Sequence, residues 1–132
     1  MLTNFKICVE CSHNDGSISL EISDRNAVLH TVNNICQTQT EIDFQVTFPN
    51  RLTIKIDTGV HGDRWVKVYK VKIGTLEVPK HIYCQIFNFC SLNGATLITD
   101  FWHNSGVVTV DLFAKNWVQY HLLYGNKISS RH

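Results

Sequence analysis

Three groups of residues in this 132-residue sequence could carry chemistry. The first is the run Asp57-Thr58-Gly59-Val60-His61-Gly62-Asp63, with a carboxylate at each end and two glycines inside. Asp57 and Asp63, helped by backbone carbonyls, are candidate calcium ligands. A calcium ion takes roughly six to eight oxygens, so two carboxylates are few, and their spacing is not that of an EF-hand loop. Gly and Asp are also ordinary turn formers, so the same residues suit a plain connection between strands.

The second group is Cys8-Val9-Glu10-Cys11, a C-x-x-C pattern with His13 just beyond it. No second pair follows, and no helical pattern follows as a thioredoxin-like site would need. In an extended strand, residues three apart point to opposite faces, so Cys8 and Cys11 would not share a metal. No metal or other cofactor is expected there. Five cysteines are an odd number, which favours reduced thiols over a disulfide framework. Cys84 and Cys90 share the parity of Ile82 and Ile86 and are expected as small core residues.

The third group is aromatic: Trp65, Trp102 and Trp117, with Tyr69, Tyr83, Tyr120 and Tyr124. A flat platform of such rings could stack sugars or bases. The same residue types fill cores and subunit interfaces, and packing is the favoured expectation. Trp102, Trp117, Tyr120 and Tyr124 are expected to run from core to interface, and Trp65 is the position that separates an interface from a glycan platform.

No catalytic constellation joins these groups. The seven histidines fall in neither G-x-S-x-G nor H-E-x-x-H surroundings. His81, His103 and His121 alternate with apolar neighbours, as surface or boundary residues do. The acids are scattered, and Glu41 and Asp43 simply share a polar strand face. The chain is therefore expected not to be an enzyme.

The elements that must hold these residues follow period two, with period 3.6 nearly absent. Ile18, Leu20 and Ile22 alternate with Ser17, Ser19, Glu21 and Ser23. Ile42, Phe44, Val46 and Phe48 alternate with Glu41, Asp43, Gln45 and Thr47, and Pro49-Asn50 breaks that run. Leu52, Ile54 and Ile56 repeat the device, as do Val108, Val110 and Leu112. Each is a strand with one face to a core and one to water. Arg64–Ile73 is a further strand, Thr75–Val78 a short edge strand, and Ile82–Phe89 is apolar enough for a central strand. Asn93-Gly94 signals a hairpin joining that run to Ala95–Trp102. Trp117–Tyr124 fits a strand or a short helix. Eight to ten short strands without a convincing helix predict an all-β chain, an antiparallel β-sandwich of jelly-roll-like form. Residues 1–132 are expected to make a single domain.

Composition narrows the partners. Twelve Lys and Arg against eleven Asp and Glu leave a formal charge of +1, no footprint for nucleic acid or an anionic membrane. No run approaches the roughly 18 apolar residues of a membrane span. Met1–Lys6 lacks the pattern of a secretory signal, so synthesis in a cytoplasm without secretion is expected.

A resemblance begins at Pro49. Pro49-Asn50-Arg51-Leu52-Thr53-Ile54-Lys55-Ile56 precedes an Asp/Gly connector and then Asp63-Arg64-Trp65-Val66-Lys67-Val68-Tyr69-Lys70-Val71-Lys72-Ile73. Leu76-Glu77-Val78-Pro79 comes next. Phe101-Trp102-His103-Asn104-Ser105-Gly106 leads into an alternating strand and then Asn116-Trp117-Val118-Gln119-Tyr120-His121-Leu122-Leu123. This arrangement, about Pro49 to Tyr124, resembles small jelly-roll-like β-sandwich proteins and fibre domains of tailed bacteriophage particles. The resemblance carries no active-site residues. It implies a non-enzymatic virion component, a capsid decoration or tail-fibre part, made in the host cytoplasm and working through contacts with other virion subunits. It also implies a symmetric homo-oligomer. The alternative expectation is a carbohydrate-binding module contacting host glycans, with an exposed Trp/Tyr pair beside polar side chains.

Overall fold

The computed structural model describes residues 2–47 and 50–112. Alternating residues make strands because successive side chains leave opposite faces, so one face of each can be buried while the other stays wet. In chain order the strands are β1 (Leu2–Cys11), β2 (Ser19–Ser23), β3 (Val28–Val32), β4 (Gln39–Thr47), β5 (Asn50–Asp57), β6 (Trp65–Ile73) and β7 (Leu76–Val78). After the one-turn helix α1 (Lys80–Tyr83) come β8 (Asn88–Ser91), β9 (Thr96–Ile98), β10 (Phe101–His103) and β11 (Gly106–Leu112).

One sheet has the order β10-β6-β1-β4, and β7 also pairs with β6. β10 lies along Trp65–Lys67 and β7 along Val71–Ile73, so the two short strands share one flank of β6. The other sheet has the order β3-β2-β5-β11-β8-β9. All these pairings are antiparallel. Phe5, Ile7 and Val9 of β1, with Ile42, Phe44 and Val46 of β4, face Leu52, Ile54 and Ile56 of β5 and Val108, Val110 and Leu112 of β11 in one buried cluster. Phe5 and Phe44 are cross-strand partners, and their rings stack at 5.3 Å. The antiparallel, jelly-roll-like β-sandwich expected from the alternation is the observed architecture.

Three segments differ from expectation. Ile82–Phe89 is not a central strand. Pro79 caps α1, Tyr83 and Cys84 donate their N–H groups to the Pro79 and Lys80 carbonyls, and β8 starts only at Asn88. Proline favours a helix start because it has no N–H to leave unpaired. Ile82, Tyr83, Ile86 and Phe87 then reach the core at helical spacing, which a short apolar run disguises. Cys84 is accordingly half-buried, and Cys90 is exposed because its neighbour Phe89 takes the inward place on β8, so neither is the core residue expected. Ala95–Trp102 is two strands in different sheets. The chain crosses between them at Thr99-Asp100, where Thr99 N–H donates to the Phe87 carbonyl and the Asp100 carbonyl accepts from Val68. With that split and the edge strand β3, none of whose residues is buried, there are eleven strands among the described residues.

Gly106, at the start of β11, faces the Cys90 carbonyl and the Phe89 ring. A Cβ built there would lie 2.5 Å from that oxygen and 2.6 Å from the ring. Gly106→Ala is therefore expected to destabilise the fold by about 1–3 kcal/mol, read as a lower midpoint in thermal or urea unfolding.

Candidate functional site

The segment before β6 is held from several sides. The Asp15 carboxylate accepts the Ser17 hydroxyl at 2.5 Å and the Ser17 N–H at 3.1 Å, and its other oxygen accepts Arg64 Nη2 at 3.3 Å. Arg64 Nε also donates to Ser17 Oγ, and Arg64 Nη1 donates to the Gly62 carbonyl. Thr58 is buried. Its N–H donates to Ser105 Oγ at 2.9 Å, which pins the loop to the turn before β11. The two hydrogen bonds from Ser17, with the Arg64 guanidinium, hold the Asp15 carboxyl down at about 2, below its ordinary 3.8. A depressed carboxyl stabilises the folded state above the ordinary carboxylate range and loses that contribution as pH falls towards 2. The melting temperature is expected to decline over that acid range, and Asp15→Asn is expected to flatten the decline in melts followed by circular dichroism.

Trp65 opens β6. Its N–H donates to Ser12 Oγ at 2.9 Å, and its carbonyl accepts from the Ser12 N–H. The indole is half-buried on the outer face of the sheet, 5.3 Å from the Phe101 ring and tilted 34° to it. Phe101 in turn lies nearly parallel to the His103 ring, with centroids 6.5 Å apart. Phe101 and His103 are exposed. Register sets two rows across this face. One is Glu10, Lys67 and Phe101, and the next pairs Trp65 with His103. Glu10 and Lys67 are half-buried on the same outward parity. Exposed rings beside a carboxylate and an ammonium can hold a flat apolar face and hydrogen-bond a hydroxylated rim.

His103 also lines a cleft of about 580 Å³. Its walls are the loop at Thr58–Gly62, the β8–β9 hairpin and the turn before β11. His61, Asn93 and Asn104 give it polar groups, while Leu92 and Leu97 give it apolar ones. Asn104 takes a left-handed conformation at φ 67°, its N–H donating to the Arg64 carbonyl. The ring row and the cleft are thus joined at His103.

The residues singled out in the sequence scatter. Trp65 is in the ring row. Trp102 is fully buried, because it takes the inward parity between Phe101 and His103, so it is a core residue and presents nothing to a ligand or a subunit. Trp117, Tyr120 and Tyr124 lie outside the described residues. Cys8 and Cys11 leave opposite faces of β1, Cys11 in the core cluster and Cys8 outside it, and burial pushes the Cys11 thiol up to about 11. Phe101, His103, Glu10 and Lys67 were not recognised in the sequence. The usable signal was Phe-Trp-His itself, since a strand that buries the middle ring must expose the outer two.

Asp57 ends β5, and Asp63 lies just before β6 in a left-handed conformation at φ 56°. Asp57 Oδ1 accepts the Gly59 N–H at 2.8 Å. The Asp63 side chain is 100% exposed, with His103 Nε2 at 4.0 Å. Among the described residues, no three His, Cys, Asp or Glu side chains gather as metal ligands.

The sequence matches no model of a known protein family and no curated protein. The fold does match solved structures. One is a selenomethionine form of the carbohydrate-binding module vCBM60, described with two families of calcium-dependent carbohydrate-binding modules linked by circular permutation. It is 12% identical, with a TM-score of 0.54 over 83% of this chain and 90% of that chain. Another is vCBM60 in complex with galactobiose, 9% identical, with a TM-score of 0.56 over 82% of this chain and 97% of that chain. At such identities the likeness shows the fold, a β-sandwich of the kind those modules use. It overturns the expected virion structural role, because these neighbours are carbohydrate-binding modules and not virion components.

Proposed function

We propose that this chain is a carbohydrate-binding module, a binding domain and not an enzyme, and that the ring row of Trp65, Phe101 and His103 is its ligand face. The observation that carries the reading is the clustering of these rings on the outer face of β6 and β10, Phe101 in register with Glu10 and Lys67 and Trp65 paired with His103 in the next row. A pyranose has an apolar face that lies on such rings and hydroxyls at its edge for the flanking charges. The likeness in fold to vCBM60, seen with galactobiose, adds support and suggests a first probe.

Calorimetric titration with galactobiose, followed by a glycan array, tests the proposal. Saturable binding to at least one glycan is the expected result. An array without a single reproducible hit overturns it.

A further inference from the structure

We infer that glycan binding by this chain is independent of calcium, in contrast to the calcium-dependent modules whose fold it shares; the inference rests on the glycan-binding reading above. All eleven Asp and Glu side chains of the sequence are among the described residues, so the remaining residues add no side-chain carboxylate to a calcium shell. Among the described residues, no three of them gather with one another or with His and Cys. The Asp57–Asp63 loop resembles a cation loop in the sequence, yet several of its oxygens accept hydrogen bonds from within the fold, and the Asp63 carboxylate stands fully exposed. Asp57 Oδ1 closes a turn onto Gly59. The Thr58 carbonyl accepts the His61 N–H, and the His61 carbonyl accepts the Thr58 hydroxyl. The Gly62 carbonyl accepts Arg64 Nη1, which sets a guanidinium charge against this loop, and like charges repel a divalent cation. Arg64 is fixed there by Asp15 and Ser17, so it is not free to leave for a metal.

Calcium in a binding module can meet sugar hydroxyls directly. Without it, the energy must come from stacking on Trp65 and Phe101 and from hydrogen bonds to Glu10 and Lys67, which share a row with Phe101. The same surface that makes the chain a binder therefore also makes the metal unnecessary.

The test is titration of the full chain with galactobiose, or with the best array glycan, in EDTA and again in millimolar calcium, beside thermal melts under both conditions. Dissociation constants agreeing within about twofold, with no calcium-dependent rise in melting temperature, are expected. The double variant Asp57→Asn/Asp63→Asn is expected to bind as the parent does, since asparagine keeps the side-chain oxygen that closes the turn onto Gly59. Binding in calcium that vanishes in EDTA, or in the double variant, overturns the inference and leaves the glycan-binding reading standing. No binding under either condition overturns both.

Discussion

Trp102→Ala is expected to cost about 3–5 kcal/mol of stability, the range for a large aromatic removed from a packed core. Trp102 is fully buried where the chain passes from one sheet to the other. Its ring meets Phe87 edge-on at 5.3 Å, and Nε1 donates to the Thr99 carbonyl at 2.9 Å. Alanine leaves a cavity between the sheets and an unpaired carbonyl beside it, two penalties that add. The melting temperature is expected to fall by about 10–20 °C, measured by calorimetry or circular dichroism. Trp102→Phe refills most of the volume but cannot supply the donor, so it is expected to recover most of the loss and not all of it. A Trp102→Ala protein melting within a few degrees of the parent would show that the ring is not a core element.

Alanine at Trp65 or Phe101 is expected to act on binding with little effect on folding. Each ring lies on the outer face, so its removal opens no cavity between the sheets. Aromatic anchors at a recognition surface commonly contribute about 2 kcal/mol or more, which is roughly 30-fold in dissociation constant. The two rings touch, so the double variant is expected to lose less than the product of the two single losses. Leu92→Ala, in the neighbouring cleft, separates the two surfaces. It is expected to leave glycan affinity unchanged, whereas a loss at Leu92 with none at Trp65 would move the ligand into the cleft.

Much of the architecture is written in local alternation. Ile42, Phe44 and Val46 against Glu41, Asp43 and Gln45 dictate a half-buried strand wherever it sits, and β4 has that burial pattern. Leu52–Ile56 and Val108–Leu112 behave alike, and Asn93-Gly94 turns the chain between β8 and β9 as expected. Local pattern fails where length and period are ambiguous. Ile82–Phe89 is apolar at both periods, and Pro79 tips it into a helical turn. It fails again at Thr99-Asp100, where nothing in the residues marks a change of sheet.

The candidate site was only partly legible for the same reason. Trp65 could be named from its residue type, but Glu10, Phe101 and His103 come to it from two strands distant in sequence, β1 and β10. Only the register of β1 with β6 and of β6 with β10 sets Glu10, Lys67 and Phe101 in one row. The Asp57–Asp63 loop shows the opposite case. Its composition suits a cation, and the fold turns Asp57 Oδ1 onto the Gly59 N–H and the Gly62 carbonyl onto Arg64, while Asp63 points to solvent. The sequence by itself determined an all-β sandwich, because burial on one face of a strand is a local, period-two property. Which rings reach solvent together, and which oxygens remain free, was decided by the tertiary structure, because both depend on pairings between residues far apart along the chain.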